Sequence, residues 1–146
     1  MVSIISLLPS FTLLLFSSRL LKIYFIINRN LNIVSLEQHE HDQICTQAGW
    51  TEHDPYQIYQ SVTLLIDRLL HKNKNMLNHI LAIGITNQRE TCLAWDRVTG
   101  EHICNAIVWH DVRTSNIVEE FINKYGDKNV FREKCGLPIN TYFSAV

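Results

Sequence analysis

Apolar and polar positions repeat with two different periods along this chain. Ile58, Val62, Leu65, Ile66 and Leu69 recur at spacings of three and four, the period of a helix with one buried face. Asp54 stands before that run as an N-cap, Pro55 suits the first helical position, and Gln57 sits where a capping box places its acceptor. The polar run at 71–75 ends the helix. A second amphipathic helix is predicted from about Thr114 to Tyr125, with Ile117, Val118, Phe121 and Ile122 inward and Gly126 as its C′ residue. A short helix over Val130–Lys134 is broken by Gly136-Leu137-Pro138, and Asn140 caps a further element.

Strands fall between these helices. Lys22–Ile27 reads as a strand, Asn28–Asn30 as its turn, and Asn32–His39 as a second, more polar strand. Ile80–Thr86 is a continuous apolar run, the mark of a strand buried on both faces. Thr91–Asp96 and Ile103–Trp109 form a hairpin around Val98-Thr99-Gly100-Glu101. The order of elements gives an α/β fold, a mixed sheet with flanking helices.

Charge changes the picture at one end. The first charged residue is Arg19, so residues 1–18 are an uncharged, largely apolar head. One reading makes it a signal or a membrane anchor flanked by Arg19 and Lys22, although Pro9 and several serines interrupt it. The other makes it sequence foreign to the fold behind it. The chain therefore divides into an apolar head at 1–23 and a domain at 24–146. A net charge of −1 over 146 residues excludes a broad basic footprint, so nucleic acid is not an expected partner. Hydrophobic residues make up 47% of the chain, enough for a core. The four cysteines form no CxxC pair, and no structural zinc site is expected. His39 and His41, with His53 nearby, read as a solvated edge strand rather than a metal site.

Three clusters carry candidate chemistry. Asn87-Gln88-Arg89-Glu90 follows the buried strand, where open α/β sheets bind ligands. Arg89 supplies donors and Glu90 an acceptor, so together they match adjacent hydroxyls of a polyol. The alternative is a tight turn with an ordinary surface ion pair. Trp109 offers an apolar wall for the carbon-bound hydrogens of such a ligand, or else is a core aromatic. Asp111 and Arg113 beside it read as a structural pair. The hydroxyl of Tyr142 both donates and accepts, and alone signals nothing. The five glycines are scattered singly, so no glycine-rich phosphate loop exists.

Taken in order, several stretches resemble the carbohydrate kinase family of glycerol, xylulose and gluconate kinases, and most closely its glycerol-specific branch. They are Gly49-Trp50-Thr51-Glu52-His53-Asp54-Pro55, residues 82–91, residues 95–100, Asn105–Trp109, Arg113-Thr114 and residues 136–145. The resemblance runs from about Tyr24 to Val146. It implies the first lobe of an RNase H-like, actin-type ATPase fold, incomplete in these residues. It implies transfer of the γ-phosphoryl group of ATP, with Mg2+, to glycerol or a similar small polyol, giving glycerol 3-phosphate. It assigns substrate binding to Arg89, Glu90, Trp109 and Tyr142. It further implies a cytoplasmic protein; association with full-length kinase subunits, and with a membrane through residues 1–18, belongs to the alternative of a non-catalytic interaction protein.

The sequence departs from the family at two places. The opening Asp-Gln-Gly-Thr hairpin that meets the ATP phosphates is not found, and the apolar head stands where it belongs. The family's catalytic Asp lies downstream of Val146. Phosphoryl transfer depends almost wholly on positioning and electrostatics. Residues 1–146 alone are therefore expected to be inactive. The alternative is a non-catalytic interaction protein derived from a kinase lobe, or a poorly folded one with unpaired sheet edges. A coupled assay of residues 1–146 with glycerol and ATP should read background, and turnover above it would contradict the expectation.

Overall fold

The structure, a computed structural model, describes residues 11–17 and 21–144. It divides into two compact units. The first comprises Met1–Asp42 with Tyr56–Gln88, and the second Gln43–Pro55 with Arg89–Val146.

The first unit is a four-stranded mixed sheet with one long helix. Its strands are β1 (Phe11–Ser17), β2 (Leu21–Asn28), β3 (Ile33–Glu40) and β5 (Ile80–Thr86), in the order β3-β2-β1-β5. β1 pairs antiparallel with β2 and parallel with β5. The β2–β3 turn is closed by Asn28, whose Oδ1 accepts the N–H groups of Asn30 and Asn32 at 3.0 Å each. Helix α1 (Pro55–Lys72) starts at the proline. It buries Leu65 and Leu69 completely against Leu13, Tyr24 and Ile26 of the sheet, with Val62, Ile66 and Ile80 at the rim. Each such leucine contributes about 2 kcal/mol. Lys72 pairs with Glu37 of β3 at 2.8 Å, and the Asn73 amide donates to Ser35 Oγ at 2.9 Å.

Several expectations change here. Within the apolar head, Phe11–Ser17 is an inner strand, paired on both sides. The described part of the head therefore belongs to the sheet; residues 1–10 and 18–20 lie outside the described residues. β5 is not buried on both faces. Leu81, Ile83 and Ile85 are 57%, 61% and 78% exposed. A run of apolar residues is covered twice only with helices on both sides, and β5 is at the sheet edge with α1 over one face. Gln57 turns to Asp42, accepting its N–H and donating to its Oδ2, both at 2.8 Å.

The second unit has less regular sheet. β4 (Glu52–His53) pairs antiparallel with β6 (Ala106–Ile107). The hairpin at 91–109 is present, but as isolated bridges, Cys92 with Ile107 and Trp95 with His102. The returning limb holds two more residues than the outgoing one between these bridges, which interrupts the ladder. Its turn is held by Asp96, whose Oδ1 accepts from the N–H groups of Val98 and Thr99 at 2.8 Å. Helix α2 (Ser115–Tyr125) ends where Gly126 takes φ 79°, with its N–H on Ile122 O. Helix α3 (Arg132–Cys135) ends likewise at Gly136. α2 has no buried residue, contrary to its periodicity: Ile117 is 43% and Phe121 38% exposed. Its rings pack along the surface instead, Phe121 on Tyr125 and Tyr125 on Phe131. Among the described residues, no helix is long and apolar enough to cross a membrane.

Candidate functional site

The second unit is laced together by one guanidinium. Arg113 donates through its backbone N–H and Nε to Asp111 Oδ1, at 2.8 and 3.0 Å. Its terminal nitrogen reaches Asp111 Oδ2 at 2.9 Å and Glu52 Oε1 at 2.7 Å. The guanidinium carbon lies 3.9 Å from the centre of the Trp50 ring, a cation–π contact. The remaining acceptors are filled. Asn105 donates to Glu52 Oε2 at 3.0 Å, and the Thr51 N–H to Asp111 Oδ2 at 2.6 Å. Gly49 makes the approach feasible. It has φ +79°, and a Cβ there would come within 2.5 Å of Val112 Cγ2.

Protonation follows from these contacts. Burial on its own would push the Asp111 carboxyl up. The hydrogen bonds from Arg113 and from the Thr51 N–H outweigh it and hold the group below the usual range. The Glu52 carboxyl is lowered by the hydrogen bonds of Arg113 and then Asn105. Arg113 is raised by its bond to Asp111, against burial, and by Glu52. All three stay charged at neutral pH, committed to each other.

On this frame sits a cavity of about 210 Å³. Pockets for drug-sized ligands run to about 300–1,000 Å³, so the space suits a smaller molecule. Glu90 and Cys92 form one wall, Ile107 to Trp109 a second, and Thr141 to Ser144 a third. Asp111, Arg113 and Thr114 complete the lining. The Trp109 and Tyr142 rings meet edge to face at 5.3 Å. Thr91 Oγ1 accepts the Trp109 N–H at 3.3 Å. Glu90 has the left-handed φ of 65°, unusual for a residue with a Cβ.

Three of the four predicted residues, Glu90, Trp109 and Tyr142, thus line one cavity. Arg89 does not: it is exposed and outside the lining. The predicted pair of Asp111 and Arg113 forms. Sequence reasoning missed Glu52 as its third member, because 61 residues separate it from Arg113. Among the described residues, Glu90 is the lining carboxylate without an ion-pair partner. Together with two ring faces and several hydroxyls, it fits a small neutral molecule with C–H and O–H surfaces. Among the described residues, no cluster of His, Cys, Asp and Glu could hold a metal ion.

The charge network sets an acid limit on stability. Asp111 and Glu52 have lowered pKa values in the folded state, so their contribution is complete above the unfolded carboxylate values of about 4 and lost as pH falls below them. Arg113→Ala leaves two carboxylates facing each other and should cost about 3 kcal/mol at pH 7. Urea denaturation across pH should show a lower plateau in the variant. It should also show a smaller loss on acidification than in the parent, and equal slopes would contradict the network's role.

Comparison with known proteins agrees with this architecture. Residues 21–146 match the model of the FGGY family of carbohydrate kinases, N-terminal domain. Glycerol kinase of Acidiphilium cryptum is 43% identical over 123 residues, covering 84% of this chain and 24% of that protein. Glycerol kinase of Paenarthrobacter aurescens is 50% identical over 113 residues, covering 77% and 22%. The crystal structure of Plasmodium falciparum glycerol kinase with ADP superposes with a TM-score of 0.82 at 39% identity, covering 93% of this chain and 28% of that one. Xylulose kinase from Lactobacillus acidophilus, at 21% identity and a TM-score of 0.79, shares the fold. The chain spans about a quarter of the length of these relatives. These are sugar kinases of the actin-like ATPase fold, and this chain belongs to the FGGY family of carbohydrate kinases through its N-terminal domain.

Proposed function

We propose that this chain supplies the acceptor-binding wall of a glycerol kinase, the enzyme that phosphorylates glycerol to glycerol 3-phosphate with ATP. The observation that carries the reading is the convergence of Glu90, Trp109 and Tyr142 on one small cavity. A three-carbon polyol is amphipathic. Its C–H edge packs on the Trp109 ring, and its hydroxyls donate to Glu90 and exchange hydrogen bonds with Tyr142. Arg89, next to Glu90, would complete the grip by turning into the cavity when ligand binds. The cavity also favours a neutral ligand. Arg113 is already neutralised, and Arg89 turned inward would offset only the charge of Glu90, so an anionic sugar acid would leave one negative charge in excess.

ATP and Mg2+ belong to the same family reading. The fit to the described residues is poor: the glycines lie singly at turns and helix ends, and they form no row of backbone N–H groups around a phosphate.

Calorimetric titration with glycerol and with gluconate tests the reading. Glycerol should bind, and gluconate should not. Glu90→Gln keeps the shape but weakens the acceptor, and should lower glycerol affinity about tenfold or more. Equal binding of the two ligands, or unchanged affinity in the variant, would overturn it.

A further inference from the structure

We propose that Ser144 is a positioning residue that fixes the Glu90 carboxylate for its ligand, an inference that rests on the polyol reading above. Ser144 donates twice to the same oxygen of Glu90: its backbone N–H and its Oγ both reach Oε2 at 3.1 Å. Fifty-four residues separate the two, so this is a tertiary clamp and not a local turn. Both residues line the cavity.

The clamp does two things. It holds a carboxylate whose backbone is already in the left-handed region, at φ 65°. That conformation is held only if its surroundings oppose relaxation, and the two bonds from Ser144 are the side-chain restraint on Glu90 among the described residues. It also divides the carboxylate. Oε2 is occupied by two donors, which leaves Oε1 as the oxygen that accepts a ligand hydroxyl. Positioned carboxylates bind better than free ones because the ordering cost is met before the ligand arrives.

The clamp also reaches Tyr142. That residue lies two positions before Ser144, and its N–H is held by Asn140 Oδ1 at 2.9 Å. Its ring meets Trp109 at 5.3 Å. Tying Ser144 to Glu90 therefore holds the third wall against the other two, and the ring-current shift of Tyr142 beside Trp109 reports on it without any ligand.

The test uses the full chain and four proteins: wild type, Ser144→Ala, Ser144→Thr and Glu90→Gln. Circular dichroism checks that each is folded. Glycerol titration and the Tyr142 ring proton shifts are then measured. Ser144→Ala should weaken glycerol binding about three- to tenfold, the cost of one charge-assisted hydrogen bond. It should also move the Tyr142 shifts toward their exposed values. Ser144→Thr keeps the hydroxyl and should restore both readouts to within about twofold of wild type. Wild-type affinity in Ser144→Ala, or no rescue by threonine, overturns the clamp while leaving the polyol reading intact. If wild type and Glu90→Gln alike fail to bind glycerol, the polyol reading falls and takes the ligand-positioning role with it.

Discussion

The cavity depends on the pairing of one arginine with two carboxylates. Arg113 lies between Asp111 and Glu52 with all three largely out of water, an arrangement that is costly unless every acceptor is filled. Here the Thr51 N–H and the Asn105 amide fill the acceptors that Arg113 leaves. The consequence is geometric. The stretch from Asn105 to Asp111 is pinned at both ends to the segment containing Thr51 and Glu52, and Val108 N–H adds a bond to Thr51 O at 3.0 Å between them. Trp109 sits inside that pinned stretch. Its place in the cavity wall is therefore set by charges already paired with one another.

This separates two kinds of charge in one small space. Asp111, Glu52 and Arg113 cancel among themselves and serve as framework. Glu90 is held by neutral donors, so its negative charge stays available. Recognition by a carboxylate beside two aromatic rings favours a neutral, hydroxyl-bearing molecule, because a ligand that lacks the hydroxyl leaves that acceptor unpaired.

Much of this could be read from sequence, and the failures have physical causes. Helix α1 was legible because its stripe has the helical period and its first turn carries Pro55 at the expected place. β2 and β3 were legible within a residue or two, with the turn marked by Asn28. For β5 and α2 the apolar pattern was right and the burial wrong. Periodicity says which residues share a face, not whether another element covers it. The head carries a related ambiguity. Charge-free residues suit an anchor and an inner strand equally, and Phe11–Ser17 is a strand. In the cavity, Glu90, Trp109 and Tyr142 were visible through their motifs. The partners that hold the frame together, Glu52 for Arg113 and Ser144 for Glu90, were not, since each lies more than fifty residues from its mate.

The most direct measurement is a two-dimensional amide NMR titration of the chain with glycerol. Shift changes should cluster at Arg89 to Cys92, Ile107 to Trp109 and Thr141 to Ser144, and saturate together. Unchanged spectra, or changes centred on the sheet and helix of the first unit, would contradict a polyol site built around Glu90.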